Sequence, residues 1–164
     1  MPLTTAEREE RIAQYERGPL RLRNALAVVP DNALKWRPAP GRWSAHEVVC
    51  HCADSETNAY ARIRFLVAEK DPVIMGYDQD EWARRFDYHR LPLEPALHTI
   101  DAVRACTTVL LRTLSEEAWL RQGRHTQSGP YSAEDWLRSY SDHLETHARQ
   151  IERNLAAWEL SPLR

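Results

Sequence analysis

Ser141-Asp142-His143-Leu144-Glu145-Thr146-His147-Ala148-Arg149-Gln150-Ile151 is the stretch on which the reading of this chain turns. Around it, Trp136, Tyr140, His143, Leu144, His147, Ile151, Leu155 and Trp158 recur at helical spacing, which predicts one apolar stripe on a long last helix. His143 and His147 stand at i and i+4, one turn apart on that same face. Imidazoles in an apolar stripe carry a desolvation penalty unless partnered. Two readings stand: each is a core histidine satisfied by a hydrogen bond, or one metal ion takes both. If they serve an active metal, His143→Leu would extend the stripe from Tyr140 to Ile151 and leave the metal-free fold at least as stable.

Working outward, the remaining helices declare themselves by caps and stripes. Thr4 with Glu7 and Ser44 with Glu47 are capping-box pairs. The first opens a helix carrying Ile12, Tyr15, Leu22, Leu26 and Val29 inward. Gly18-Pro19 inside it predicts a kink or a restart. The second opens a helix running to about Lys70, with Val48, Cys52, Ser55, Ala59, Ile63 and Leu66 as its stripe. Between them, Pro38-Ala39-Pro40-Gly41 places 31–43 in a loop that Trp36 and Trp43 should anchor. A long connection, Asp71 to Leu91, includes a short helix near Asp78 to Arg85. After Pro92 a further helix turns Leu97, Ile100, Val103, Thr107, Leu110, Leu111 and Leu114 inward. Ser132 caps the last helix, which ends near Glu159. The expectation is all-α: a four-helix bundle in one domain over 1–164, with a long crossover between the second and third helices and no convincing strands.

Composition narrows the function classes. Lys and Arg total 22 against 24 Asp and Glu, with no basic excess for a nucleic-acid surface. No apolar run is long enough to span a bilayer, and the polar start lacks a signal-peptide core, so a cytoplasmic protein is expected. Cys50, Cys52 and Cys106 are too few and uneven for a disulfide framework.

Familiar metal motifs fail on inspection. In His143-Leu144-Glu145-Thr146-His147 the Glu is misplaced for both His-Glu-x-x-His and its inverted form. Cys50-His51-Cys52 cannot converge on one ion, because adjacent helical residues diverge, and the cysteines read as packing residues. His46 falls on another face in the first turn and reads as a surface residue. His51 lies roughly 60° from the centre of its helix's stripe and can point between helices. Inward ligands from different helices are how bundles build metal sites, and His51 with His143 and His147 would leave a fourth position open.

The ordered set Trp43-Ser44-x-x-Glu47-x3-His51-x2-Asp54-x-Glu56, then His143-x3-His147-x2-Gln150-Ile151, resembles the DinB/YfiT-like superfamily, and Gly76-Tyr77-Asp78-Gln79-Asp80-x-Trp82 resembles its YfiT-type branch. The resemblance implies a four-helix bundle, a divalent metal on His51, His143 and His147, and frequent homodimers. It also implies enzymes using low-molecular-weight thiols. Some mycothiol-dependent members carry Glu where this chain has His143, which leans away from that subgroup.

The leading functional expectation is a metal-dependent enzyme that activates a low-molecular-weight thiol for transfer to an electrophilic small-molecule substrate, since a coordinated thiol ionises. The alternatives are a metal-dependent hydrolase, in which the ion lowers the pKa of water, and a non-catalytic metal-binding stress-response module. Zinc or nickel is expected first, and iron or manganese would also accept the set. Asp54, one turn after His51, is the candidate to hold its free ring nitrogen, or is a solvated helix acid. Arg62 faces the same side and could meet an anionic cosubstrate. His89, His98 and His125 have no matching constellation.

Overall fold

The structure is a computed structural model and describes residues 2–162. Four long helices make the bundle: α1 (Thr5–Ala27), α2 (Ala45–Ala68), α4 (Leu93–Thr113) and α6 (Ala133–Glu159). Shorter elements are β1 (Val73–Ile74), α3 (Gln79–Arg85), a 3₁₀ turn at Tyr88–Arg90, α5 (Glu116–Trp119), β2 (Gln122–His125) and β3 (Gly129–Ser132). α1 and α2 each pack against α4 and α6, so they occupy opposite corners of the bundle. The crossover expected between the second and third long helices is the segment holding β1, α3 and the 3₁₀ turn. Among the described residues, no helix is long and apolar enough to cross a membrane.

Local chemistry sets each helix start. Thr4, Ser44 and Ser132 each accept a hydrogen bond from the N3 backbone N–H, and the N3 carboxylate accepts one from the cap's backbone N–H. The stripe foreseen on α2 is buried throughout. Trp136 is the largest fully buried side chain: its ring packs 5.4 Å from Tyr15, and its Nε1–H donates to the Ala59 carbonyl at 3.0 Å. Trp43 anchors its loop as expected, stacking 4.6 Å from the His51 ring, and its carbonyl accepts from Asn154 at 2.8 Å.

Three expectations are revised. α1 runs without interruption from Thr5 to Ala27, so Gly18-Pro19 does not restart it. Three short strands form a sheet, with β1 parallel to β2 and β2 antiparallel to β3 (Ile74 opposite His125, Gly123 opposite Tyr131). They were illegible because strands this short carry no period, and Gly123 is there for space: a Cβ would lie 2.6 Å from the Pro72 carbonyl oxygen. His46 is buried, since the crossover folds back over the start of α2, and its Nε2 pairs with the Leu91 carbonyl at 2.8 Å.

The caps predict a graded response. Ser44 is fully buried, and its Oγ also meets His89 Nε2 at 2.8 Å, whereas Thr4 is exposed. Ser44→Ala should cost about 2 kcal/mol and Thr4→Ala about 0.5–1 kcal/mol, read as shifts of the urea midpoint at constant m.

Candidate metal centre

α2 and α6 bring His51, His143 and His147 together: one nitrogen from each lies within 4.8 Å of the other two. The ring centroids of His143 and His147 are 4.6 Å apart, and that of His51 is 4.8 Å from His147 and 5.6 Å from His143. All three rings line one cleft of about 570 Å³. The i, i+4 pair therefore meets its third member from another helix.

Each imidazole is held differently. His143 Nδ1–H donates to Glu56 Oε1 at 2.8 Å, and His147 Nδ1–H to Gln150 Oε1 at 3.0 Å, which leaves both Nε2 atoms free to ligate. His51 is 2% exposed, and its Nδ1 is buried without a hydrogen-bond partner. Burial, reinforced by the neighbouring imidazoles, pushes the His51 pKa down to about 2 and that of His147 to about 4. These are neutral imidazoles, the form that binds metal. An orphaned ring nitrogen beside two oriented imidazoles fits a divalent ion better than it fits ordinary core packing, where buried polar atoms find partners.

Asp54 does not hold His51. Its carboxylate instead accepts from the Tyr88 hydroxyl at 2.5 Å, because Tyr88 of the 3₁₀ turn is buried against that side of α2. The carboxylate that serves the cluster is Glu56, fully buried and paired with Arg104 through Nε–Oε2 at 2.8 Å and Nη2–Oε1 at 2.7 Å. Burial alone would raise the Glu56 carboxyl, but the Arg104 charge and the bonds from His143 and Arg104 outweigh it and hold it well below the usual range. Its role was missed, although Glu56 sits on the stripe Cys52, Glu56, Ala59, Ile63, and Arg104 on Ile100, Arg104, Thr107, Leu111. A charge on an apolar stripe is the signal that would have found both.

The cleft wall is polar and aromatic. Arg62 Nη1–H donates to the Tyr140 hydroxyl at 2.9 Å, its Nη2–H to the Met75 carbonyl, and its guanidinium lies 5.7 Å from the Tyr77 ring centre. The β2–β3 hairpin adds His125 and Tyr131, residues without a constellation in sequence because the sheet that brings them there was not foreseen. Burial raises the phenols of Tyr77, to about 12, and of Tyr140, so both act as donors near neutrality. His89 and His98 lie elsewhere, His89 beside Ser44 and Glu47 and His98 exposed.

Comparison with known proteins places the chain and its fold. Residues 14–151 match the sequence profile of the DinB superfamily. A provisionally named metal-dependent hydrolase of Oceanobacillus iheyensis is 34% identical over 142 residues, 87% of this chain and 82% of the relative. YfiT of Bacillus subtilis, described as a probable metal-dependent hydrolase with an unusual four-helix bundle topology, superposes with a TM-score of 0.89 at 26% identity, over 97% of this chain and 91% of that one. A mycothiol-dependent maleylpyruvate isomerase shares the fold, with a TM-score of 0.70 at 16% identity over 88% of this chain and 60% of its own.

The unequal partnering of the histidines revises the expectation for His143. Replacing it with Leu removes a hydrogen bond from a buried carboxylate, and the metal-free variant should lose roughly 1–3 kcal/mol. His51→Leu removes the orphaned nitrogen instead, so that metal-free variant should match or exceed the metal-free wild type by roughly 1 kcal/mol. Urea melts after chelator treatment measure both.

Proposed function

The protein belongs to the DinB superfamily, and we propose that it is a metal-dependent hydrolase of small molecules in which His51, His143 and His147 hold one divalent ion. The observation that carries the proposal is that three imidazoles converge on the wall of an open cleft, with no fourth protein ligand grouped with them among the described residues. Structural sites close with four protein ligands, whereas catalytic sites keep a position free. An ion held by three neutral ligands keeps its full charge and supplies Lewis acidity, which lowers the pKa of water. Zinc or nickel suits the all-nitrogen set best.

The chain's own groups define the rest. Glu56 and Gln150 fix the tautomers of His143 and His147. Glu56 is enclosed by Arg104 and has no access to the cleft, so it orients and does not exchange protons with substrate. Arg62 and the phenols of Tyr77 and Tyr140 present donors to the cleft, which suits a substrate with a carbonyl or anionic oxygen. The curated relatives named for metal-dependent hydrolysis support this reading.

Thiol transfer is the second reading. It draws on the same free position, since a coordinated thiol ionises outright and needs no general base, and the described cleft lining holds only one carboxylate, Asp78.

Two outcomes are expected. Metal-stripped protein titrated with zinc or nickel should take up about one ion per chain, and His147→Ala should take up none; wild type that binds neither would sink the proposal. Loaded protein should cleave members of a panel of small esters and amides, and Arg62→Ala should raise KM about tenfold or more with kcat little changed. Turnover confined to thiol-plus-electrophile pairs would replace hydrolysis by thiol transfer.

A further inference from the structure

A Gly-Pro pair within a continuous 23-residue helix needs a reason, because each residue weakens helix. Pro19 has no N–H, so the carbonyl of Tyr15, four residues earlier, has no helical donor. Tyr15 is wholly buried, and a carbonyl there needs a partner. The partner comes from another helix: Arg104 Nη1–H donates to the Tyr15 carbonyl at 2.5 Å. Gly18 supplies the space. A Cβ at position 18 would lie 2.7 Å from Arg104 Nη1 and 3.1 Å from Leu144 Cδ1.

Arg104 cannot swing aside. It is 1% exposed, its guanidinium lies 3.8 Å from the Tyr15 ring centre, and its Nη2–H also donates to the Tyr140 carbonyl at 2.9 Å. Its Nε–H and a second Nη2–H grip the two oxygens of Glu56. A carboxylate forked by a guanidinium has its plane set. Glu56 Oε1 then accepts His143 Nδ1–H from one direction, leaving the other ring nitrogen for a ligand.

We infer that the hydrogen-bond gap at Gly18-Pro19 is part of the support of the histidine cluster: it seats Arg104, and Arg104 aims Glu56 at His143. Gly18, Pro19, Tyr15 and Arg104 do not line the cleft, so they are positioning residues, acting through His143. The inference rests on the proposal that the histidines hold a metal, and extends it to a helix that contributes no ligand.

The test uses Gly18→Ala and Arg104→Lys, with exposed Leu20→Ala as the control on the same helix. Lysine keeps the charge and loses the fork. Zinc affinity is measured by chelator competition, and the His143 tautomer by long-range ¹H–¹⁵N NMR on the metal-free protein. Both variants should bind zinc about 10- to 100-fold more weakly, and His143 should no longer be held as the Nδ1–H tautomer, with Leu20→Ala unchanged in both respects. Gly18→Ala should also lower the thermal midpoint, although alanine is the better helix former. If Arg104→Lys does not fold, Gly18→Ala decides. Folded variants with wild-type zinc affinity and a wild-type tautomer, changed only in thermal midpoint, would overturn the inference. Wild type that fails to bind zinc would instead overturn the metal proposal, and the tautomer would still decide whether the relay exists.

Discussion

The Arg104–Glu56 ion pair is the interaction on which the rest of this structure depends. Both side chains are essentially inaccessible to water. Taking two charges out of water costs several kcal/mol per ion, and the pair is tolerable only if every remaining donor and acceptor is engaged. Here the pair is engaged from all four long helices: α4 supplies Arg104, α2 supplies Glu56, α1 gives the Tyr15 carbonyl, and α6 gives the Tyr140 carbonyl and the His143 ring. Loss of either charge alone would leave the other uncompensated, at about 3–5 kcal/mol. That is a large part of the stability of a chain this size. A bundle held only by interdigitating side chains can slide; one whose four helices meet on a guanidinium cannot slide without breaking these bonds.

The histidine cluster hangs from that pair by one ring and is otherwise loosely provided for. His143 shares Glu56, His147 leans on Gln150 of its own helix, and His51 packs against the rings of Trp43, His143 and His147 while its Nδ1 stays unpartnered. The cluster is thus a part of the interior that the fold does not complete by itself. Such incompletely satisfied sites are where natural sequences depart from local consistency for function.

Much of the bundle was legible because its signals are local. Capping boxes need only a residue and its third neighbour, and stripes need only the helical period, so α1, α2, α4 and α6 read correctly from Thr4, Ser44 and Ser132 and from residues such as Ile63 and Leu144. The short sheet was not legible, since β1 has two residues and pairs with a strand about fifty residues away. His46 was misplaced for a related reason: its cover, the Leu91 carbonyl, belongs to a segment whose path no local pattern sets.

By itself the sequence determined that helices would form, where they would start, and that His143 and His147 would share a buried face, since all of these follow from spacing along one chain segment. Only the tertiary structure decided that Asp54 would go to Tyr88 and Glu56 to His143, that a proline-freed carbonyl would receive Arg104, and that a hairpin would carry His125 and Tyr131 to the cleft. The physical reason is that helical periodicity gives the direction a side chain leaves its own helix. Which partner it meets depends on the rotation and crossing of helices far apart in sequence, and burying the Arg104–Glu56 pair favours the arrangement in which both charges are answered.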